Sequence, residues 1–136
     1  MKTIVALLLV FSLTGCYPVY KTLQPRSHIL VLDESGAPIQ GAVVVLVANA
    51  YPYGHEKTRM EVVTNSKGEA RFPSSKEWRM EVMVMHGMEI YYWNWCVTKE
   101  GYETYITRDG NAKDFDRKPT VILSEGDSTK CPVQLY

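Results

Sequence analysis

Val31-Leu32-Asp33-Glu34-Ser35-Gly36-Ala37-Pro38-Ile39-Gln40-Gly41-Ala42-Val43-Val44 reads as two strands joined by a turn. The short apolar run from His28 to Leu32 stops at Asp33, and Asp-Glu-Ser-Gly-Ala-Pro then concentrates turn formers in six residues. Gly36 supplies backbone angles that other residues adopt only at a cost. Pro38 pre-sets the bend, and Gly41-Ala42 lets two strands approach closely. The Val-rich run from Gly41 to Ala48 suits a buried strand better than a helix.

The same alternation of strand and turn continues along the chain. Tyr51-Pro52-Tyr53-Gly54-His55 is a loop and Arg59 to Thr64 a strand. Asn65-Ser66-Lys67-Gly68 is a tight turn into Ala70-Arg71-Phe72, and Pro73-Ser74-Ser75 is a further break. Met80 to Met85 and Ile90 to Thr98 read as strands separated by His86-Gly87-Met88. Lys99-Glu100-Gly101 turns into Tyr102 to Thr107, and Arg108 to Lys118 is polar and reads as the longest exposed loop. Thr120 to Leu123 and Val133 to Leu135 are the last short strands. No segment carries a helical period with caps. Short strands with turn signals every 8–12 residues predict an all-β sandwich.

Two local patterns narrow this. The stretch from Val31 to Val44, together with Thr64-Asn65-Ser66-Lys67-Gly68-Glu69-Ala70-Arg71-Phe72 and Lys99-Glu100-Gly101-Tyr102-Glu103, resembles the carboxypeptidase regulatory-like domains. The resemblance covers residues 28 to 107 and implies a prealbumin-like (transthyretin-type, Ig-like) sandwich of seven or eight strands. It implies a fold rather than an activity, because such domains host many roles. The hydroxyisourate hydrolase branch of the same fold ends in a Tyr-Arg-Gly-Ser-type tail, whereas this chain ends Cys131-Pro132-Val133-Gln134-Leu135-Tyr136. No enzymatic activity is expected.

The N-terminus carries a different signal. One cation, Lys2, precedes an apolar run from Ile4 to Leu13, which is too short to span a bilayer as a helix and reads as a secretory signal. Leu13-Thr14-Gly15-Cys16 resembles the lipobox of bacterial lipoproteins, whose cysteine thiol receives a diacylglycerol before cleavage and acylation of the new amine. The expected organisation is a signal peptide over 1–15, a proline-containing tether over 16–27 and the β-domain over 28–136. The partner this implies is a membrane, reached through lipid on Cys16. Tyr17 rather than Asp after that cysteine favours the outer membrane of a diderm cell, facing the periplasm.

The chain holds 15 basic and 15 acidic residues, which gives no electrostatic reason to expect nucleic acid or an anionic membrane surface. With Cys16 given to lipid, Cys96 and Cys131 remain, and in an oxidising compartment they most simply form one disulfide. A free thiol pair or half a metal site are the alternatives. His28, His55 and His86 lack metal-ligand spacing, so no metal or cofactor is expected.

Two surfaces are candidates for recognising an envelope protein or a glycan. In a strand, Tyr91, Trp93 and Trp95 share one face, which forms either a stacking platform for sugars or the sandwich core. Tyr51 and Tyr53 sit on a proline-stiffened loop and suit partner recognition, or else cover one end of the core. A small lipoprotein of a secretion apparatus is a further expectation within this frame.

Overall fold

The computed structural model of the chain describes residues 15–82 and 87–132. Among them the chain forms nine strands: β1 Cys16–Gln24, β2 Ser27–Asp33, β3 Val43–Tyr51, β4 His55–Val63, β5 Glu69–Phe72, β6 Ser75–Val82, β7 Ile90–Thr98, β8 Tyr105–Ile106 and β9 Thr120–Leu123. No helix occurs among the described residues. The signal segment up to Thr14, the stretch 83–86 with His86, and the expected strand Val133 to Leu135 lie outside them.

The strands form a four-stranded sheet in the order β4-β3-β7-β8, a three-stranded sheet β5-β2-β9, and a separate ribbon β1-β6. The two larger sheets share one core, so the protein is all-β and sandwich-like. Ile29 and Val31 of β2, Phe72 of β5 and Leu123 of β9 meet Leu46 of β3 and Trp95 of β7, all of them fully buried. The strand β9 runs parallel to β2, pairing Leu30 with Thr120 and Asp33 with Leu123; the remaining strand pairs are antiparallel.

Turn chemistry explains the boundaries. The Asp33 carboxylate accepts hydrogen bonds from Ser35 N (2.8 Å), the Ser35 hydroxyl (2.6 Å) and Ala37 N (2.9 Å), which closes the turn after β2. Asn65 does the same after β4, accepting from Lys67 N at 2.9 Å and Glu69 N at 3.1 Å. These side chains satisfy backbone donors that no ladder reaches. Gly68, at φ 73°, stands so close to β2 that a Cβ there would lie 2.4 Å from the Val31 carbonyl oxygen. Buried Thr64 fastens the loop before β3, accepting from Ala42 N and donating to Ile39 O.

Both faces of β3 and β7 are covered, which is why their sequences run apolar without strict alternation. Val44, Leu46, Trp93, Trp95 and Val97 enter the main core; Val45, Val47 and Cys96 form a smaller cluster on the opposite face. That second face is closed by the C-terminal segment. Cys96 and Cys131 are joined as a disulfide across a sequence separation of 35 residues, with Cα atoms 5.9 Å apart. Arg59 donates to the Pro132 carbonyl at 2.7 Å, and Thr104 and Thr129 exchange two hydrogen bonds.

Two sequence expectations change. Residues 16–24 of the expected tether are a strand, pairing from Cys16↔Val82 to Gln24↔Ser75, and this takes the strand count beyond seven or eight. Pro18 does not prevent it, because a two-stranded ribbon is all edge and tolerates a missing N–H. The loop 108–118 is not wholly exposed. Phe115 is buried and stacks on Trp95 with ring centroids 5.3 Å apart.

Candidate functional site

Cys16 is the first residue of β1 and carries an exposed, free thiol. Its neighbour across the ribbon is Val82.

A cationic groove of about 810 Å³ opens at the end of the three-stranded sheet. Ile29 and Val31 point into the core, so His28 points outward by strand alternation, beside Arg71 of β5. The His28 N–H donates to the Arg117 carbonyl at 2.9 Å, which brings the 108–118 loop alongside. Arg26, Arg71, Arg117 and Lys118 thus converge around His28, with Phe72 and Pro73 supplying apolar wall. Glu69 lies 3.8 Å from His28 Nε2 and 3.3 Å from Arg71. The Nε2 atom is buried without a hydrogen-bond partner. Four permanent cations around an open groove suit an acidic ligand.

A second polar cluster lies where the ribbon meets the sandwich. Glu89 pairs with Lys57 at 2.5 Å and Arg79 at 2.6 Å and accepts from the Tyr91 hydroxyl at 3.1 Å. Burial alone would raise its carboxyl, but Lys57 and Tyr91, with the Arg79 charge, hold it below the usual range. Burial, then the Glu89 hydrogen bond, pushes the Tyr91 phenol up to about 12. Lys21 is paired with Glu81 in the same cluster. These groups are matched to one another across the junction of the ribbon and the sandwich.

The aromatic candidates divide. Trp93 and Trp95 are core residues, 6% and 1% exposed, and are not a sugar-stacking platform. Their indole N–H groups donate inward to the Leu23 carbonyl at 2.8 Å and the Asp116 carbonyl at 2.9 Å. The reason is that the facing sheet and Phe115 cover this side of β7, while Cys96 and the C-terminal segment cover the other. Tyr91 is buried with them. Tyr51 and Tyr53 are exposed on their loop, Tyr51 packing on Tyr92 and Tyr53 stacking on His55. Tyr51 ends β3 and Tyr53 lies in the β3–β4 connection, and neither is among the residues that line the groove.

Sequence reasoning missed the groove because its residues are numbered 26, 28, 71, 117 and 118, and a balanced total charge conceals a local excess. It also missed Trp78, which is exposed on β6; the alternation Trp78, Met80, Val82 was the available signal. No group of three or more His, Cys, Asp or Glu able to hold a metal ion occurs among the described residues. Compared with known proteins, the chain matches no family model, no curated protein and no solved structure.

Proposed function

We propose that this protein is a lipid-anchored lipoprotein of the bacterial envelope, whose prealbumin-like domain binds or assembles rather than catalyses. The observation that carries this reading is Cys16. It closes the sequence Leu13-Thr14-Gly15-Cys16, and its thiol is exposed and free where the first strand begins. Acylation needs an accessible thiol, and two or more chains make the anchorage stable, since one alone holds only marginally. The Cys96–Cys131 disulfide suits an oxidising compartment. Tyr17 after the anchor favours the outer membrane.

The cationic groove is the surface best fitted to the binding role, and its ligand class is acidic: a carboxylated, phosphorylated or sulfated group. The exposed Tyr51–Tyr53 loop is a second surface for an envelope protein.

Mass spectrometry of the mature protein tests the anchor. The expected result is an N-terminal Cys16 bearing acyl chains, with Cys16→Ala either released from membranes or accumulating as precursor. An unchanged, processed, membrane-bound Cys16→Ala protein overturns the reading. Crosslinked recovery from envelopes tests the assembly role, and the absence of any reproducible partner counts against it.

A further inference from the structure

The ribbon β1-β6 has two faces of opposite character. The inner face, with Lys21, Arg79 and Glu81, is engaged in the charged cluster described above. On the outer face the register aligns Cys16 with Val82, Pro18 with Met80 and Tyr20 with Trp78. Alternation places all six on one side. Tyr20, Met80 and Trp78 are 56%, 66% and 69% exposed, and the Tyr20 and Trp78 rings lie 5.2 Å apart. Lys76 extends its ammonium over Tyr20, 5.9 Å from the ring centroid.

We propose that this strip is a bilayer-contact face, so that the domain lies against phospholipid along the ribbon rather than standing away from it. The inference rests on the lipid-anchor reading and deepens it. Three observations select lipid as the occupant. First, the strip starts at Cys16, the anchor residue itself, and the acyl chains would leave from the same face that bears the exposed rings. Second, no slack separates them. Strand geometry puts Tyr20 about 13 Å from Cys16, which keeps the rings at the surface the anchor occupies. Third, the composition is that of a membrane interface. Tryptophan and tyrosine prefer the headgroup level, methionine and proline add apolar area, and Lys76 at the far end suits a phosphate. The anchor holds the face at the bilayer permanently, so even weak insertion becomes effectively intramolecular.

Trp78 is a built-in reporter, because the other two tryptophans are buried in the core. The full acylated protein is reconstituted in vesicles of phosphatidylethanolamine and phosphatidylglycerol carrying brominated acyl chains, beside a Trp78→Phe control. The expected result is a blue shift and a loss of part of the emission in brominated vesicles, both absent from Trp78→Phe. Bromine near the headgroups should quench more than bromine near the chain ends. Acylated Cys16 by mass with unquenched Trp78 overturns the contact face and leaves the anchor standing. Unmodified Cys16 overturns the anchor; the unacylated protein is then added to the same vesicles, where quenching supports the face and no quenching removes it. A blue shift that grows with protein concentration in the absence of vesicles assigns the strip to a second copy and also overturns the proposal.

Discussion

Two glycines separate backbone strain from steric collision, and Gly68→Ala beside Gly36→Ala measures each. Both residues have positive φ, 73° and 83°. For an L side chain the left-handed conformation costs about 1–2 kcal/mol. At Gly36 nothing lies within 4 Å of the added Cβ, so this is the whole cost. At Gly68 the new methyl meets the Val31 carbonyl oxygen at 2.4 Å and Pro38 Cβ at 3.1 Å. The first of these is backbone. Val31 O accepts from Ile39 N at 3.0 Å, and Val31 N donates to Gly68 O at 2.8 Å, so relief of the clash disturbs the hydrogen bonds that hold the turn to β2. Overpacking adds about 1–3 kcal/mol and a weakened hydrogen bond about 1 kcal/mol. The expected costs are therefore about 1–2 kcal/mol for Gly36→Ala and about 3–6 kcal/mol for Gly68→Ala. Urea unfolding followed by tryptophan fluorescence reads both, since Trp93 and Trp95 leave the core on unfolding. The midpoint should move with little change in slope. Equal costs for the two variants would refute the reasoning, because the close approach to β2 would then contribute nothing.

Three further outcomes follow from the structure. Opening the Cys96–Cys131 bridge closes no loop in the unfolded chain, and for a separation of 35 residues the chain-entropy model gives a loss of about 4 kcal/mol; urea unfolding of the Cys131→Ser protein checks it, an unchanged midpoint being the contrary result. Reversing charge at the groove with Arg71→Glu and Arg117→Glu should weaken binding to a sulfated polysaccharide at least about tenfold, with wild-type binding falling as salt rises; surface-immobilised ligand measures this, and equal binding by the variant removes the groove from the binding role. Tyr91 titrates at about 12 in the fold against 10.0 ordinarily, so the folded state holds its proton more tightly. That contribution is intact below pH 10 and is lost as pH rises toward 12; ultraviolet titration of phenolate and the urea midpoint across that window test it, and Tyr91→Phe should flatten the decline.

Turns were legible in the sequence because their chemistry is local. Asp33 and Asn65 act within a few residues of themselves, and β2, β5 and β7 fall close to where the turn signals put them. What escaped was non-local. Nothing within Cys16–Gln24 reveals that β6, more than fifty residues on, supplies its partner groups. Phe115 sits in a polar loop and looks exposed until the core is assembled around Trp95. The candidate aromatic row on β7 was correctly placed on one face, but strand periodicity does not say whether a face meets water. Burial of Trp93 and Trp95 was decided by the opposing sheet, and burial of Cys96 by a bridge to the C-terminal segment. The groove needed five residues from three regions of the chain, joined only by β2's pairing with β5 and its contact with Arg117.

The parallel pairing of β2 with β9 has a consequence for how the chain assembles in time. β2 is the central strand of its sheet, yet one of its two edges stays open until residues 120–123 arrive. The β3–β4 hairpin can zip as soon as it is made, whereas closing the β2 edge must await nearly the whole chain and the long loop closure that this entails. A chain without residues 120–123 therefore leaves one edge of β2 unpaired and lacks Val121 and Leu123 in the core. A truncation before Thr120 should fail as a whole rather than lose one strand.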